Sequence, residues 1–594
     1  MIYLQRKIKI KPLFVLLFVA IFVMSVNCSR RIAQNRFNDL VSEYIDSYFK
    51  FHPVRATSVG YDRYNDLLGD YSDSSVSRYL STLSNIQTRL VEMDTSLFSS
   101  RNIIDYRIIS DHLASEVWQI QNEQIWKLDP TFYIKLLTNA VLGIEYSNNY
   151  NDQEKCVFLI SRLEETKRIF KQARQNLVNP YRFKVNAALD QLHSLSYLYT
   201  SELNRFIRLC PEKQDTLLYY SKLFPDSLAK FQDFLASKTG RNNSVTSPQR
   251  SYDIDDQIRT KYNLEIDIDD LLLIAQKEYD HYYERLEDVT TRLYKTVFPK
   301  RRVGLISLEN RIKSLTEKFG NDYIQDDKLI DEENKIIFDL KRFIEMKNVM
   351  NIPELDSLLL MRTHGYELMD DITGLRKPGP LDEKKIYRFY IKSLPDDLTW
   401  FEQISYLREY TRSSLQLQSI QKLIPGSMLA DIYWNEQKSV VRRLFKNRYI
   451  EAGWPILATE IMIEYGFGGY DPKLQFYHFL SSLRRITKFQ VDLQLNSERI
   501  RAREALNVLR ESGFMKVSAA QKNLNEMIVH PVNSIYVVYG SCKLKEIYSE
   551  SRKIAGNYFE RTSYWDMFFR IGSIPPDCFE KSFLEMVNKQ YKKK

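Results

Sequence analysis

Seven histidines, His52, His112, His193, His281, His364, His478 and His530, are the first residues to weigh for metal ligation or proton transfer. No two stand at H-x-x-x-H spacing, so no single helix face presents a pair of imidazoles to an ion. Isolated histidines on apolar faces, His193 and His478 among them, read as satisfied core or boundary residues. The five cysteines include no C-x-x-C pair, which argues against a thiolate zinc site or a thioredoxin-type centre. There is no G-x-S-x-G elbow, P-loop or G-x-G-x-x-G turn. The glycine-rich "YGFGGYD" at 465–471 follows a helix and reads as its stop. Acid/base work by Asp370-Asp371, or by Asp267, Asp269 and Asp270, requires a cleft that shifts their pKa values, and such clusters otherwise cover helical surfaces.

The elements that would position any site are mostly helices. Cys156, Leu159, Ile160, Leu163, Phe170, Ala173 and Leu177 keep helical spacing up to Asn179-Pro180, and Val185 to Phe206 repeat the pattern. Similar runs predict helices over about 30–50, 75–98, 102–125, 265–295 and 472–510. Two stretches, around Leu358–Met361 and Ile386–Leu394, gather β-branched and aromatic residues and predict a small sheet. The segment 237–251, "SKTGRNNSVTSPQRS", predicts a linker. The expected organisation is a segment 1–27 that is removed, an N-terminal helical subdomain 28–250 and a C-terminal helical subdomain 251–594, facing a common cleft.

The first 27 residues carry Arg6, Lys7, Lys9 and Lys11 before an apolar run from Leu13 to Met24, a pattern that suits an export signal better than a membrane span. Cys28 follows, which predicts lipoprotein processing with Cys28 acylated and the chain tethered to an envelope membrane, the leaflet unspecified. Ser25 and Asn27 depart from the usual lipoprotein box, and ordinary cleavage or an uncleaved anchor are the competing readings. Removing those four cations and no acid takes the formal charge from +9 to +5. No basic and aromatic stripe suggests nucleic acid. Export permits disulfides among Cys156, Cys210, Cys542 and Cys578, in any of three pairings, but buried free thiols are the expectation for so large a core.

The costly stretch is "QSIQKLIPGSMLADIYW", 418–434, with Pro-Gly inside an otherwise helical pattern. "FHPVRATSVGYDRYNDLLGDYSD" at 51–73 resembles the N-terminal signature of the domain-of-unknown-function 885 family, exported bacterial proteins similar to helical zinc metallopeptidases. The resemblance runs from about residue 37 to the C-terminus. It implies a mainly α, multi-helical metallopeptidase-like fold with a small β element around a central cleft. In that family H-E-x-x-P-G-H is followed by E-G-W-A-L-Y, the histidines and a carboxylate holding Zn²⁺ and a Glu activating its water. The Pro-Gly irregularity would bring together two histidines that a regular helix keeps on different faces.

Aligned on Pro425-Gly426, this chain offers Gln421 and Ser427 for the histidines and Lys422 for the Glu. "EAGWPILATE" keeps Gly453-Trp454 but has Ala452 for the Glu, with Glu451 one place off. Downstream, Arg485, Asp492 and Ala505 are kept while Asn496 replaces a His. Pro531 and Gly540 are kept while Asn533 and Val537 replace Gln and Tyr, and Trp565 replaces a His beside Asp566, Gly572 and Pro575. Glutamine is a poor zinc ligand and protonated lysine has no lone pair. The expectation is therefore a pseudoenzyme without cofactor, using the cleft to bind a peptide or envelope protein, with Lys422 favouring an anion. The competing expectations are a hydrolase with a displaced site, such as one built from His364, His478 and His530, and an envelope structural or assembly protein.

Overall fold

The computed structural model describes residues 12–240, 252–354, 358–363, 372–394, 398–469 and 471–591, with side chains from Cys28 onward. His364, Asp370-Asp371, Tyr470 and residues 241–251 of the linker predicted at 237–251 lie outside these residues, while Ser237 still belongs to a helix, Gln214–Ser237. The chain is mainly α-helical with one small sheet. The helices that matter below are α1 (Pro12–Phe51), α2 (Ser100–Trp118), α3 (Asp152–Asn176), α4 (Arg182–Leu209) and α5 (Ile268–Val297). After the strands come α6 (Arg412–Lys422), α7 (Ser427–Asn435), α8 (Arg448–Glu464), α9 (Pro472–Asn496), α10 (Ile535–Ala555) and α11 (Arg561–Ile571).

Local chemistry sets the helix starts. Asn151 and Glu154 form a reciprocal capping box at α3, and Asp267 caps α5 by accepting from the Asp270 amide. Gly466, Gly468 and Gly469 all take positive φ after α8, so the glycine-rich stretch is the stop its composition suggested. The predicted helix 472–510 is broken: α9 ends at Asn496, Glu498 turns left-handed, and a second helix runs Ala502–Glu511. Asn496 and Ser497 bond back to the carbonyls of Asp492 and Leu493, local competition that apolar periodicity does not register.

The sheet has three strands, β1 (Leu358–Arg362), β2 (Thr373–Arg376) and β3 (Tyr387–Ile391), in the order β1-β3-β2. The two predicted strands pair in parallel, Leu360 opposite Phe389, and the unforeseen β2 pairs antiparallel on the other side, Leu375 opposite Phe389. β2 is only TGLR, too short and too polar to carry an alternating signal.

The free-thiol expectation is corrected for two cysteines: Cys156 and Cys210 are joined in a disulfide. The helices α3 and α4 are linked by a short turn, so the hairpin brings the beginning of one beside the end of the other, where these residues stand. Cys28, Cys542 and Cys578 are free.

One continuous buried cluster draws residues from Phe37 to Tyr591, and a second joins α5 to α9 and α10. α8 and α10 cross at two glycines. A Cβ on Gly453 would stand 2.4 Å from the Gly540 carbonyl carbon, and one on Gly540 would stand 2.2 Å from the Tyr449 oxygen. Gly453 is thus kept by backbone approach rather than by chemistry. Gly540→Ala is expected to cost about 1–3 kcal/mol or more of stability, because backbone on both sides must move. Urea unfolding of the variant checks it by a lowered midpoint.

Candidate functional site

The hinge lies between α6 and α7. Leu423, Ile424, Pro425 and Gly426 are buried, the Ile424-Pro425 peptide is cis, and the two helices meet without a continuous ladder. Gly426 admits no side chain: a Cβ would lie 2.0 Å from the Gln421 oxygen. A distant donor reaches into the break: the Trp454 indole N–H lies 2.9 Å from Pro425 O and 3.2 Å from Gly426 O, which also accepts from the Ala430 amide. Trp454 is fully buried among Trp565, Phe568 and Phe569, with ring centroids 4.9–5.3 Å away.

Around this hinge the polar positions divide into two neighbourhoods. Gln421, Lys422 and Ser427 are half-buried at the facing ends of α6 and α7, and Ala452 and Glu451 are half-buried on α8. Lys422 is turned to the sheet, its Nζ donating to Thr373 O at 2.6 Å. Trp565 is fully buried as an aromatic wedge on Trp454 and Tyr548. Asn496 and Asn533 belong elsewhere, at the turn before α10. There Asp492 accepts from the Val532 amide at 2.9 Å, from Ser534 Oγ at 3.2 Å and from Asn496 Nδ2 at 2.6 Å. Asn533 is exposed and Val537 half-buried at the start of α10. The downstream "GSIP" is structural too: Ser573 exchanges hydrogen bonds with Asn447, the N-cap of α8.

The strongest polar feature near the hinge went unnoticed in the sequence. Asp431, one turn after Ser427, is 1% exposed and accepts from Lys446 Nζ at 2.5 Å, Tyr387 OH at 2.9 Å and Asn435 Nδ2 at 2.9 Å. Lys377 Nζ stands 3.5 Å from Asp431 and 3.7 Å from Glu451, bridging the two. Burial alone would raise the Asp431 carboxyl, but Lys377 and Lys446 hold it below its ordinary value. Burial likewise works against the Lys377 ammonium, which Asp431 and Glu451 keep protonated. Lys377 and Lys446 come from two loops and Tyr387 from β3, so no local spacing could announce them.

These residues do not fit a zinc ion. The hinge positions supply an amide, an ammonium, a hydroxyl and a methyl, and the neighbouring carboxylates are already committed to lysines. Among the described residues no group of three His, Cys, Asp or Glu could hold a metal. The Asp267 group is surface: Asp267 caps α5 and Asp269 pairs with Arg499 at 2.5 Å.

A family profile described as "Bacterial protein of unknown function (DUF885)" matches residues 53–582. The chain belongs to the DUF885 family. Two solved structures share its fold. One is a "putative lipoprotein of unknown function" from Shewanella oneidensis, 19% identical, TM-score 0.73, covering 92% of this chain and 99% of that one. The other is a "putative lipoprotein" from Colwellia psychrerythraea, 13% identical, TM-score 0.75, covering 93% and 100%. No curated protein matches the chain. In this DUF885 member Gly426, Gly453, Trp454, Asp492 and Gly540 each have a packing or hydrogen-bonding duty.

Asp492 yields a pH test. Burial pushes its carboxyl from 3.8 up to about 6 despite its donors, so the folded state holds a proton that the unfolded chain has released. Its contribution to stability is full below the unfolded value and is lost as pH rises through about 6. Asp492→Asn is expected to flatten the fall in thermal midpoint over that interval, measured by circular dichroism.

Proposed function

We propose that this DUF885 member is an exported, lipid-anchored envelope protein whose hinge cleft binds a peptide or another envelope protein and does not cut it. The lipid would be carried by Cys28, which is exposed on α1 at the end of the cationic and apolar N-terminal pattern. The two related structures, both described as putative lipoproteins, support that reading. On this reading the acyl chain is the attachment; no helix among the described residues is long and apolar enough to cross a membrane. One chain gives only marginal anchoring, and a second signal or triacylation makes it stable.

The observation that carries the non-cleaving reading is the Lys377 bridge. Asp431 on α7 and Glu451 on α8 already face a permanent protein cation, and the hinge itself presents no imidazole. A dication would have to displace that ammonium and then find its remaining ligands among amide and hydroxyl groups. Binding by shape and hydrogen bonds needs none of this.

Metal analysis and cleavage of a fluorogenic peptide by the purified full chain test the reading. The expected result is zinc far below one per chain and no chelator-sensitive cleavage. Stoichiometric zinc, removed together with peptidase activity by a chelator, overturns it. In cells, Cys28→Ser is expected to move the protein from the membrane fraction to the soluble one, and unchanged membrane association overturns the anchor.

A further inference from the structure

A groove of about 790 Å³ opens between α5, α8, α9 and α10, and none of the hinge residues lines it. Its size lies in the range of small-ligand sites. One wall is a stripe of α5, Lys277, His281 and Arg285, at steps of four that share a helix face. The opposite wall comes from α8, with Glu460 and Glu464.

Most of the charge in the groove is internally satisfied. Lys545 Nζ lies 2.8 Å from Glu278, 3.0 Å from Glu460 and 2.7 Å from the Tyr282 hydroxyl, which also donates to Glu460. Asp288 pairs with Arg292 at 2.9 Å. Among the described residues, Lys277 and Arg285 have no carboxylate partner, and Glu464 has no cation. The groove is therefore bipolar, with two cations that no carboxylate engages on one wall, Arg285 standing over the Phe479 ring at 5.7 Å, and an unpaired carboxylate on the other.

The second observation is His478. It is 0% exposed, lines the groove, and neither ring nitrogen has a hydrogen-bond partner; the nearest carboxylate oxygen, on Glu460, is 3.9 Å away. The sequence reading of a satisfied core histidine is thereby corrected. Burial and the nearby Arg485 and Lys545 push its pKa far below the ordinary value, so the ring is neutral and offers one donor and one acceptor. A leucine would fill the place without orphaned nitrogens.

We propose that this groove binds a short zwitterionic peptide, its carboxylate on Lys277 and Arg285, its ammonium on Glu464, and a backbone amide on His478. An amide presents the acceptor and donor that a neutral imidazole complements. A phosphate would meet Glu464 with like charge, a diamine would meet Lys277 and Arg285, and a neutral sugar would leave all three unpaired. The proposal does not depend on how the hinge is read.

Isothermal titration of the full chain with triglycine, with inorganic phosphate and maltotriose as comparisons, tests it. Triglycine is expected to bind and the other two are not; no binding of triglycine, or preferred binding of phosphate, overturns the proposal. Lys277→Glu with Arg285→Glu, both on the surface, is expected to weaken binding by about tenfold or more. His478→Leu is expected to weaken it similarly while the thermal midpoint holds or rises; unchanged affinity in either variant overturns the assignment. A crystal soaked with triglycine is expected to show the peptide between α5 and α8, and density at the hinge alone contradicts it.

Discussion

The Trp454 indole N–H, shared between the carbonyls of Pro425 and Gly426, is the contact on which the hinge depends. Proline inside a helix costs about 3 kcal/mol and leaves carbonyls without their ladder partners. Here the gap between α6 and α7 is closed by a donor from α8, and the tryptophan that supplies it is buried in an aromatic cluster reaching α11. Gly426 permits the close approach, and Gly453 beside Gly540 lets α8 lie against α10 at the depth that delivers the indole. Pro425, Gly426, Gly453, Trp454 and Gly540 are therefore joined in one mechanical unit, and losing any of them would disturb the others. The side chains of Gln421, Lys422, Ser427 and Ala452, half-buried beside this unit, take no part in that close backbone packing.

The same logic explains what the sequence disclosed. Helical periodicity over Cys156–Leu177 and Val185–Phe206 matches α3 and α4, because their apolar stripes are what the core buries. The hinge and the extended stretches that become β1 and β3 were visible for similarly local reasons, while their parallel pairing was not. The disulfide, the break after Asn496 and the strand β2 were not, since each depends on what lies across the fold or on side-chain competition with the backbone. Within the candidate site, Asp431 was hidden because Lys377, Tyr387 and Lys446 meet it only in three dimensions. Asn496 and Trp565 act as structure, one supporting Asp492 and the other packing on Trp454.

Two lysines share a recurring role. Lys377 bridges Asp431 and Glu451 near the hinge, and Lys545 bridges Glu278 and Glu460 in the groove. Each ammonium stands among carboxylates that would otherwise repel one another in partly dehydrated surroundings. Such hubs fix the relative placement of several helices, and they use up acidic groups that could serve a divalent ion.

The most direct measurement is zinc affinity after the four side chains are restored together, Gln421→His, Lys422→Glu, Ser427→His and Ala452→Glu, by competition with a chromogenic chelator. If the hinge is a preserved metal scaffold stripped only of its donors, the quadruple variant binds one zinc per chain and the unaltered chain binds none. A folded quadruple variant that holds zinc no better than the unaltered chain contradicts the account, because the backbone would then not be the one that once gripped the ion.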